Sequence, residues 1–384
     1  MYNYIPLEQA ADILDSYRKP VNSKERLNLI KGKPLDELFP YYGATGQVGW
    51  IDSFLTDGEY ILLGEDGAPF LNPYAKKAYI IYGKTWVNNH AHILRSKTNN
   101  EFLCYYLNYF NYKNYVSGTT RLKLTQAQMR KIPIPNIPSD EQSRIVAHIE
   151  ELFSELDKAI DTLKTTKEQL EVYRQAVLKD AFSCLPETVE MDKIADMIDP
   201  QPSHRTPPEY KNGIPYIGIG DIDYQNKKIN FEDARKVSPE VLDEHLHRYT
   251  IHKGDFVMGK IGTIGKPYKI PDEQNYALSA NVILIQPNKE KIYPEFLFWQ
   301  FSSSLVTKQL TLGAKATSQP AFGIKKARLL SIKICELEKQ FKIIKRLEAE
   351  MSCCDNIEKT VDTALAQADA MRQSILKQAF EGKL

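Results

Sequence analysis

Arg174-Gln175-Ala176-Val177-Leu178-Lys179-Asp180-Ala181-Phe182 returns 198 residues later as Arg372-Gln373-Ser374-Ile375-Leu376-Lys377-Gln378-Ala379-Phe380. Extended backwards without a gap, the register lays Gln142 to Phe182 on Gln340 to Phe380, and 14 of the 41 positions are identical. Chance pairing gives far fewer, so the chain contains a true internal repeat, and that repeat governs every later assignment.

Outside this block the two halves correspond more loosely. Ala11-Asp12 and Asp15 recur as Ala195-Asp196 and Asp199, and Gly64 and Gly67 as Gly259 and Gly262. Glu101-Phe102-Leu103 recurs as Glu295-Phe296-Leu297, and Gly118 as Gly313. Each half therefore reads as a short opening, a mixed domain and a long helix. The helices are alike while the mixed domains differ in most residues, which points to one scaffold presenting two different readers. The expected divisions are 1–138 and 186–335 for the mixed domains, and 139–185 and 336–384 for the helices.

From Ile145 onward, Ile149, Leu152, Leu156, Ala159, Leu163, Thr166, Leu170, Tyr173 and Val177 follow alternate spacings of three and four, an a/d heptad seam. The second copy offers Ile343, Leu347, Glu350, Cys354, Ile357, Val361, Ala364, Ala368, Met371 and Ile375. Ser139-Asp140-Glu141 after Pro138 marks a helix start, and Pro186 a stop. A helix of forty residues is about 60 Å long. Left alone it would keep its seam wet, so an antiparallel coiled coil of the two helices is expected.

The mixed domains read as α+β. Tyr60–Leu63, Tyr79–Tyr82, Asp255–Met258 and Val282–Ile285 are expected strands, while Phe102–Tyr109 and Phe296–Leu310 look helical. The loops between them have the composition of nucleic-acid contacts: Gly for backbone freedom, hydroxyls, amides and basic groups. Candidate DNA contacts are Thr45 and Gln47; the basic pair Lys76 and Lys77; Asn88, Asn89 and His90; and Thr119, Thr120, Arg121 and Lys123. The candidates in the second half are Lys260, Thr263 and Lys266; Ser279 and Asn281; Lys315, Thr317, Ser318 and Gln319; and Lys325 and Lys326.

A net charge of +1 hides a segregated distribution. Lys253 to Lys333 carries 12 basic and 5 acidic residues, whereas Asp140 to Phe182 carries 6 basic and 10 acidic. Gly118 to Ile132 holds Arg121, Lys123, Arg130 and Lys131 with no acid. Such segregation is what phosphate binding requires. Five scattered cysteines have no metal-site spacing and suit reduced thiols in a cytoplasm. No apolar run is long enough to span a bilayer, and no signal peptide is expected.

Catalytic motifs fail one by one. Gly259 to Lys266 has five residues between its first and last glycine and ends in Pro267, so it is not a P-loop. Gly218-Ile219-Gly220-Asp221 lacks the third glycine of a dinucleotide fingerprint. Asn72-Pro73-Tyr74 lacks the second proline of an amino-methyltransferase motif. Asp272-Glu273 has no suitably placed lysine for a nuclease, and the seven histidines form no metal pattern.

Two similar helices with two divergent domains resemble the specificity subunits of type I restriction-modification systems, and the resemblance covers essentially the whole chain. Its most specific features are Ile132-Pro133-Ile134-Pro135 before the first helix, the Glu141-Gln142 and Lys339-Gln340 starts, and the helix ends Ala181-Phe182 and Ala379-Phe380-Glu381-Gly382-Lys383-Leu384. Ile332-Lys333-Ile334-Cys335 departs from the first of these and puts the local geometry of copy two in doubt. The resemblance implies that each mixed domain is a target-recognition domain reading one half of a split, asymmetric sequence in double-stranded DNA. It implies helices that set the unread gap and bind two methylation subunits, with restriction subunits joining them. S-adenosylmethionine, ATP and magnesium would belong to those partners and none to this chain, which would not be an enzyme. Candidate partner contacts are Arg174, Gln175, Lys179 and Phe182, with Arg372, Gln373, Lys377 and Phe380. The competing readings are a stand-alone DNA-cleaving enzyme and a coiled-coil protein-interaction module.

Overall fold

The computed structural model describes residues 2–261, 264–314 and 321–383. It resolves into two compact units, Met1–Thr165 with Val361–Leu384, and Thr166–Thr360. Each unit joins one mixed domain to the beginning of the helix that follows it and the end of the helix from the other half.

Both mixed domains are built on the same strand order. In unit 1 a four-stranded sheet runs Ala11–Ile13, Ala91–Ser96, Tyr60–Gly64, Ala78–Ile81, antiparallel throughout. In unit 2 the order is Ala195–Ile198, Val282–Pro287, Phe256–Gly259, Pro267–Lys269, again antiparallel. The central strands of both are apolar on each face (Tyr60-Ile61-Leu62-Leu63; Phe256-Val257-Met258), and all of these residues are buried, as fits a sheet covered on two sides. A second sheet repeats as well. Phe39–Gly43 lies antiparallel to Gly46–Ile51 and parallel to Lys84–Val87, and Ile214–Ile217 lies antiparallel to Lys236–Val237 and parallel to Ala277–Leu278. The correspondence first seen in scattered glycines is thus a shared topology.

The expected helix Phe296–Leu310 is two helices, Pro294–Phe301 and Ser304–Gly313. Ser303 lies between them and turns its hydroxyl onto the Gln300 carbonyl at 2.6 Å, the local competition with the helical ladder that serine provides. The departure from Ile-Pro-Ile-Pro changes little. Ser331–Ile334 pairs antiparallel with Glu187–Glu190 just as Pro133–Pro135 pairs with Tyr4–Pro6. The strand register corrects the alignment by two residues, placing Ile332 on Ile134 and Lys333 on Pro135; the N–H that Lys333 gains over the proline is taken by the Gln300 amide oxygen at 2.8 Å.

The long helices are Ser139–Ser183 and Leu337–Phe380, and they run antiparallel. In unit 2 Arg174 reaches Asp355 and Glu358 at 2.8 Å each, and Arg346 reaches Asp180 at 2.8 Å. In unit 1 Arg372 pairs with Asp157. Shifting by 198 turns Arg174–Asp355 into Arg372–Asp157 with its partners exchanged, as a pseudo-twofold contact requires. The heptad seam breaks at matching places. Tyr173 and Met371 are exposed, as are Ala159 and Ile357, whereas Arg174 and Arg372 are half-buried in their stead. The arginines reach inward to the facing acids, so the side chain before each of them turns outward.

Each helix start carries one further device. Gln142 and Gln340 are buried and donate to the carbonyl five residues earlier, Ile137 at 2.9 Å and Cys335 at 2.7 Å. Their amide oxygens accept from Thr98 in unit 1 and from the Tyr293 N–H in unit 2. A sequence identity inside the repeat is therefore a buried polar clamp between helix and domain. Among the described residues no helix is long and apolar enough to cross a membrane.

Candidate nucleic-acid interface

In both units the candidate loops converge on the end of the central strand. In unit 1 the Glu65 N–H donates to the His90 carbonyl at 2.8 Å, and the Leu124 N–H to the Glu65 carbonyl at 2.8 Å. The Asn88 N–H donates to the Tyr42 carbonyl at 3.1 Å. In unit 2 the Lys260 N–H donates to Asn281, Phe322 to Lys260, and Ser279 to Ile217, at 2.8, 2.9 and 2.8 Å. These are the same three bonds at equivalent positions. The bridge Asp66–Lys123 likewise recurs as Ile261–Ala321. Four loops distant in sequence are therefore tied to one point by backbone alone, which leaves their side chains free to differ.

The side chains do differ. Glu65 occupies the position of Lys260. In unit 1 Arg18 bridges Glu65 and Asp15, the latter at 3.0 Å. Burial alone would raise the Asp15 pKa, but the hydrogen bond and charge of His92, with the Ile93 N–H and Gln126, hold it below the ordinary carboxylate range. His92 is buried, with Nδ1 2.8 Å from Asp15 and Nε2 3.0 Å from the Leu124 carbonyl. In unit 2 Lys260 meets Asp199 directly at 2.5 Å, with His204 Nδ1 3.5 Å from its ammonium. Asp15, Arg18, Glu65, His92 and His204 were not expected from sequence; the matched pair Asp15 and Asp199 was the one signal pointing to them.

Several candidates turn inward. Lys77 is buried, donates to the Pro73 carbonyl at 3.2 Å, and has its pKa pushed down by burial to about 8. Asn88 accepts from the His90 N–H at 2.8 Å. Asn281 accepts from the Ile219 N–H at 3.1 Å and from the Ser279 hydroxyl. These groups shape loops. Gly218 permits that shape, because a Cβ there would stand 2.7 Å from both Ser279 Oγ and Asn281 Oδ1. Lys260 is likewise engaged within the fold. Thr45, Gln47, Lys76, Asn89, Thr119, Thr120, Arg121, Lys123, Lys266, Lys325 and Lys326 are exposed. Of these, Arg121 leans on Asp66 at 2.7 Å and Lys266 on the Tyr224 ring at 4.2 Å. His90 is half-buried, 3.5 Å from Asp66. Thr263, Lys315, Thr317, Ser318 and Gln319 lie outside the described residues.

The candidate partner contacts divide in the same way. Phe182 packs edge-on against Phe296 at 5.3 Å, and Phe380 lies among Phe102, Tyr106 and Tyr109; both are core residues. Arg174 and Arg372 form the interhelical ion pairs described above. Gln175, Lys179 and Lys377 are exposed and Gln373 half-buried.

Beside the unit 2 cluster, buried His245 holds a neutral arrangement. Its Nε2 donates to Gln201 at 3.0 Å, and its Nδ1 accepts from the Tyr249 hydroxyl at 2.8 Å, which in turn accepts from the Leu278 N–H. Burial, aided by Arg248, lowers its pKa to about 4. The unfolded state therefore binds the extra proton first, and unit 2 should lose stability as pH falls from about 6.5 toward 4. Chemical-denaturation midpoints for unit 2 across that range, in wild type and His245→Gln, check this. The variant should flatten the dependence, and an unchanged slope would refute the assignment. Among the described residues no group of three His, Cys, Asp or Glu stands close enough to hold a metal ion.

Comparison with known proteins follows the same duplication. A putative type I restriction enzyme specificity subunit of Haemophilus influenzae is 29% identical over 310 residues, covering 76% of this chain and 74% of that protein. The specificity subunit of the Escherichia coli type I enzyme EcoDI is 23% identical across 95% of this chain and 88% of its own length. The HsdS subunit of Thermoanaerobacter tengcongensis shares the fold at 16% identity, with a TM-score of 0.53 over 100% of this chain and 97% of that one. A chain from a study of type I R-M complex assembly and conformational transition reaches 0.71, also at 16% identity, over 100% and 98%. The type I restriction modification DNA specificity domain matches twice, over residues 9–172 and 186–367, and the chain belongs to that family.

Proposed function

We propose that this chain reads DNA as the specificity subunit of a type I restriction-modification complex, each loop cluster recognising one half of a split target. The observation that carries the reading is the pair of clusters pinned by the same three backbone bonds but lined by unlike side chains. One scaffold with two unlike readers is suited to a bipartite, non-palindromic sequence. The paired helices serve as the spacer that fixes the unread gap, and their exposed Gln175, Lys179 and Lys377, with half-buried Gln373, lie on faces open to methylation subunits. Catalysis, with S-adenosylmethionine, ATP and magnesium, belongs to the methylation and restriction subunits, and the complex works in the cytoplasm. The relatives named above support this role.

Two measurements test it. Modified adenines mapped in the source genome, with the gene present and deleted, should reveal one asymmetric bipartite motif that vanishes on deletion. Exchanging residues 1–138 for those of another family member should change one half of the motif and leave the other. A motif altered in both halves, or no dependence on the gene, refutes the reading. Arg121→Gln should weaken binding on every sequence and reduce the salt slope by about one, since it removes one cationic contact to the backbone.

A further inference from the structure

Unit 2 contains a cavity of about 300 Å³ lined by Asp199, His204, Lys260, Ala321, Gly323, Ile324, Lys325 and Lys326. Three lysines and one carboxylate are among its lining residues. Lys260 is buried and already engaged with Asp199 at 2.5 Å, so the charge of Lys325 and Lys326 has no acid left within the lining. Lys326 donates to the Gly313 carbonyl at 2.7 Å, a neutral partner that leaves its charge uncompensated. His204, whose imidazole approaches the Lys260 ammonium, sits at φ 53°.

The equivalent place in unit 1 is filled by protein. Beside Asp15, Gln126 donates at 2.8 Å, Arg18 stands at 3.0 Å and His92 at 2.8 Å. The repeat register puts Ile324 at the position of Gln126, and the strand register puts Ile283 at that of His92. Neither isoleucine can hydrogen-bond to a carboxylate. In unit 1 the carboxylate is thus met by the chain's own cation and amide, whereas in unit 2 its counterpart borders a cavity lined by lysines.

We infer that this cavity is a phosphate subsite that seats one backbone phosphate of the DNA held by unit 2, and that unit 1 has no counterpart. The inference rests on the DNA-reading function proposed above. Its lining is lysine rather than asparagine or glutamine, the composition for a phosphate rather than a base edge. A lysine ammonium meets a phosphate as a point charge, needing no fixed bidentate geometry.

The test uses the full chain with its methylation subunits, a duplex carrying the target, duplexes altered in either half, and inorganic phosphate. Lys325→Gln with Lys326→Gln is compared with wild type and with Lys289→Gln, an exposed lysine away from the cavity. Both changed lysines are exposed, so folding, followed by thermal melting, should be unaffected. The double variant should lose about one from its salt slope and on the order of tenfold in affinity at 0.1 M salt, equally on all duplexes. Discrimination at both halves should be unchanged. Wild-type binding with an unaltered slope in the double variant overturns the subsite and leaves the DNA reading intact. Absence of salt-dependent binding by wild type overturns both. Protection of wild type, but not the variant, by inorganic phosphate, with DNA binding equal in the two, identifies a free-phosphate site and overturns the DNA-backbone assignment.

Discussion

Phe380→Ala should destabilise unit 1 by about 3–5 kcal/mol, the usual cost of emptying a large aromatic site in a core, and leave unit 2 nearly unchanged. Phe380 is buried with ring centroids 5.4 Å from Phe102, 5.2 Å from Tyr106 and 5.5 Å from Tyr109. Beside it Ile375, Leu376 and Ala379 enter the same cluster as Phe102 and Leu103. A substitution four residues before Leu384 thus acts on the first mixed domain. Phe182→Ala should do the reverse, since Phe182 packs on Phe296 in unit 2. Hydrogen exchange resolved by segment separates the two: protection should fall in residues 91–109 for the first variant and in 282–301 for the second. Loss of protection in the same unit for both would contradict the fold.

Residues 1–185 expressed alone should form a homodimer. The site that unit 1 offers to Ile375, Leu376, Ala379 and Phe380 is left open in such a fragment, and the fragment carries Val177, Leu178, Ala181 and Phe182 at the matching positions of its own helix. Three of those four are identical and the fourth is a conservative change. Asp157 of one copy would meet Arg174 of the other in place of Arg372, the pair whose counterpart is Arg174 on Asp355 at 2.8 Å. The full chain already makes this contact twice with exchanged partners, so a symmetric version needs no new chemistry. Sedimentation equilibrium should report twice the fragment mass, and Phe182→Ala should shift it toward monomer. A wild-type fragment that stays monomeric at micromolar concentration would defeat the prediction. The dimer of identical readers, on the proposed function, would recognise a palindromic target.

The helices and their order were legible because their signal is local. Heptad spacing, Ser139 after Pro138 and Pro186 beyond the end are properties of nearby residues, set by side-chain periodicity, helix-start polarity and proline sterics. Spacing alone does not settle the seam. Spacing marked Tyr173 and Met371 as buried, whereas the facing acids draw Arg174 and Arg372 inward and expose both. Which of two adjacent side chains turns inward depends on the partner helix, about 180 residues away in sequence.

Glycines and repeat matches pair the candidate loops of one half with those of the other, but sequence does not show that the loops of each half converge, nor which of their residues turn inward. Lys77, Asn88, Ser279 and Lys260 carry the right chemistry for DNA and spend it inside the fold. Composition reports what a side chain can bond to. It does not report whether a backbone carbonyl or carboxylate is already within 3 Å.

Duplication, the α+β and helix alternation and the pairing of two long helices follow from the amino-acid order alone, since repetition and periodicity survive without coordinates. Tertiary structure alone decided that each unit borrows the helix end of the other half. It also decided that one carboxylate is met by Arg18 and Gln126 while its counterpart borders a cavity lined by lysines. Both are outcomes of long-range contact: a buried charge must be matched by whatever the fold brings beside it, and chain order does not specify which group that is.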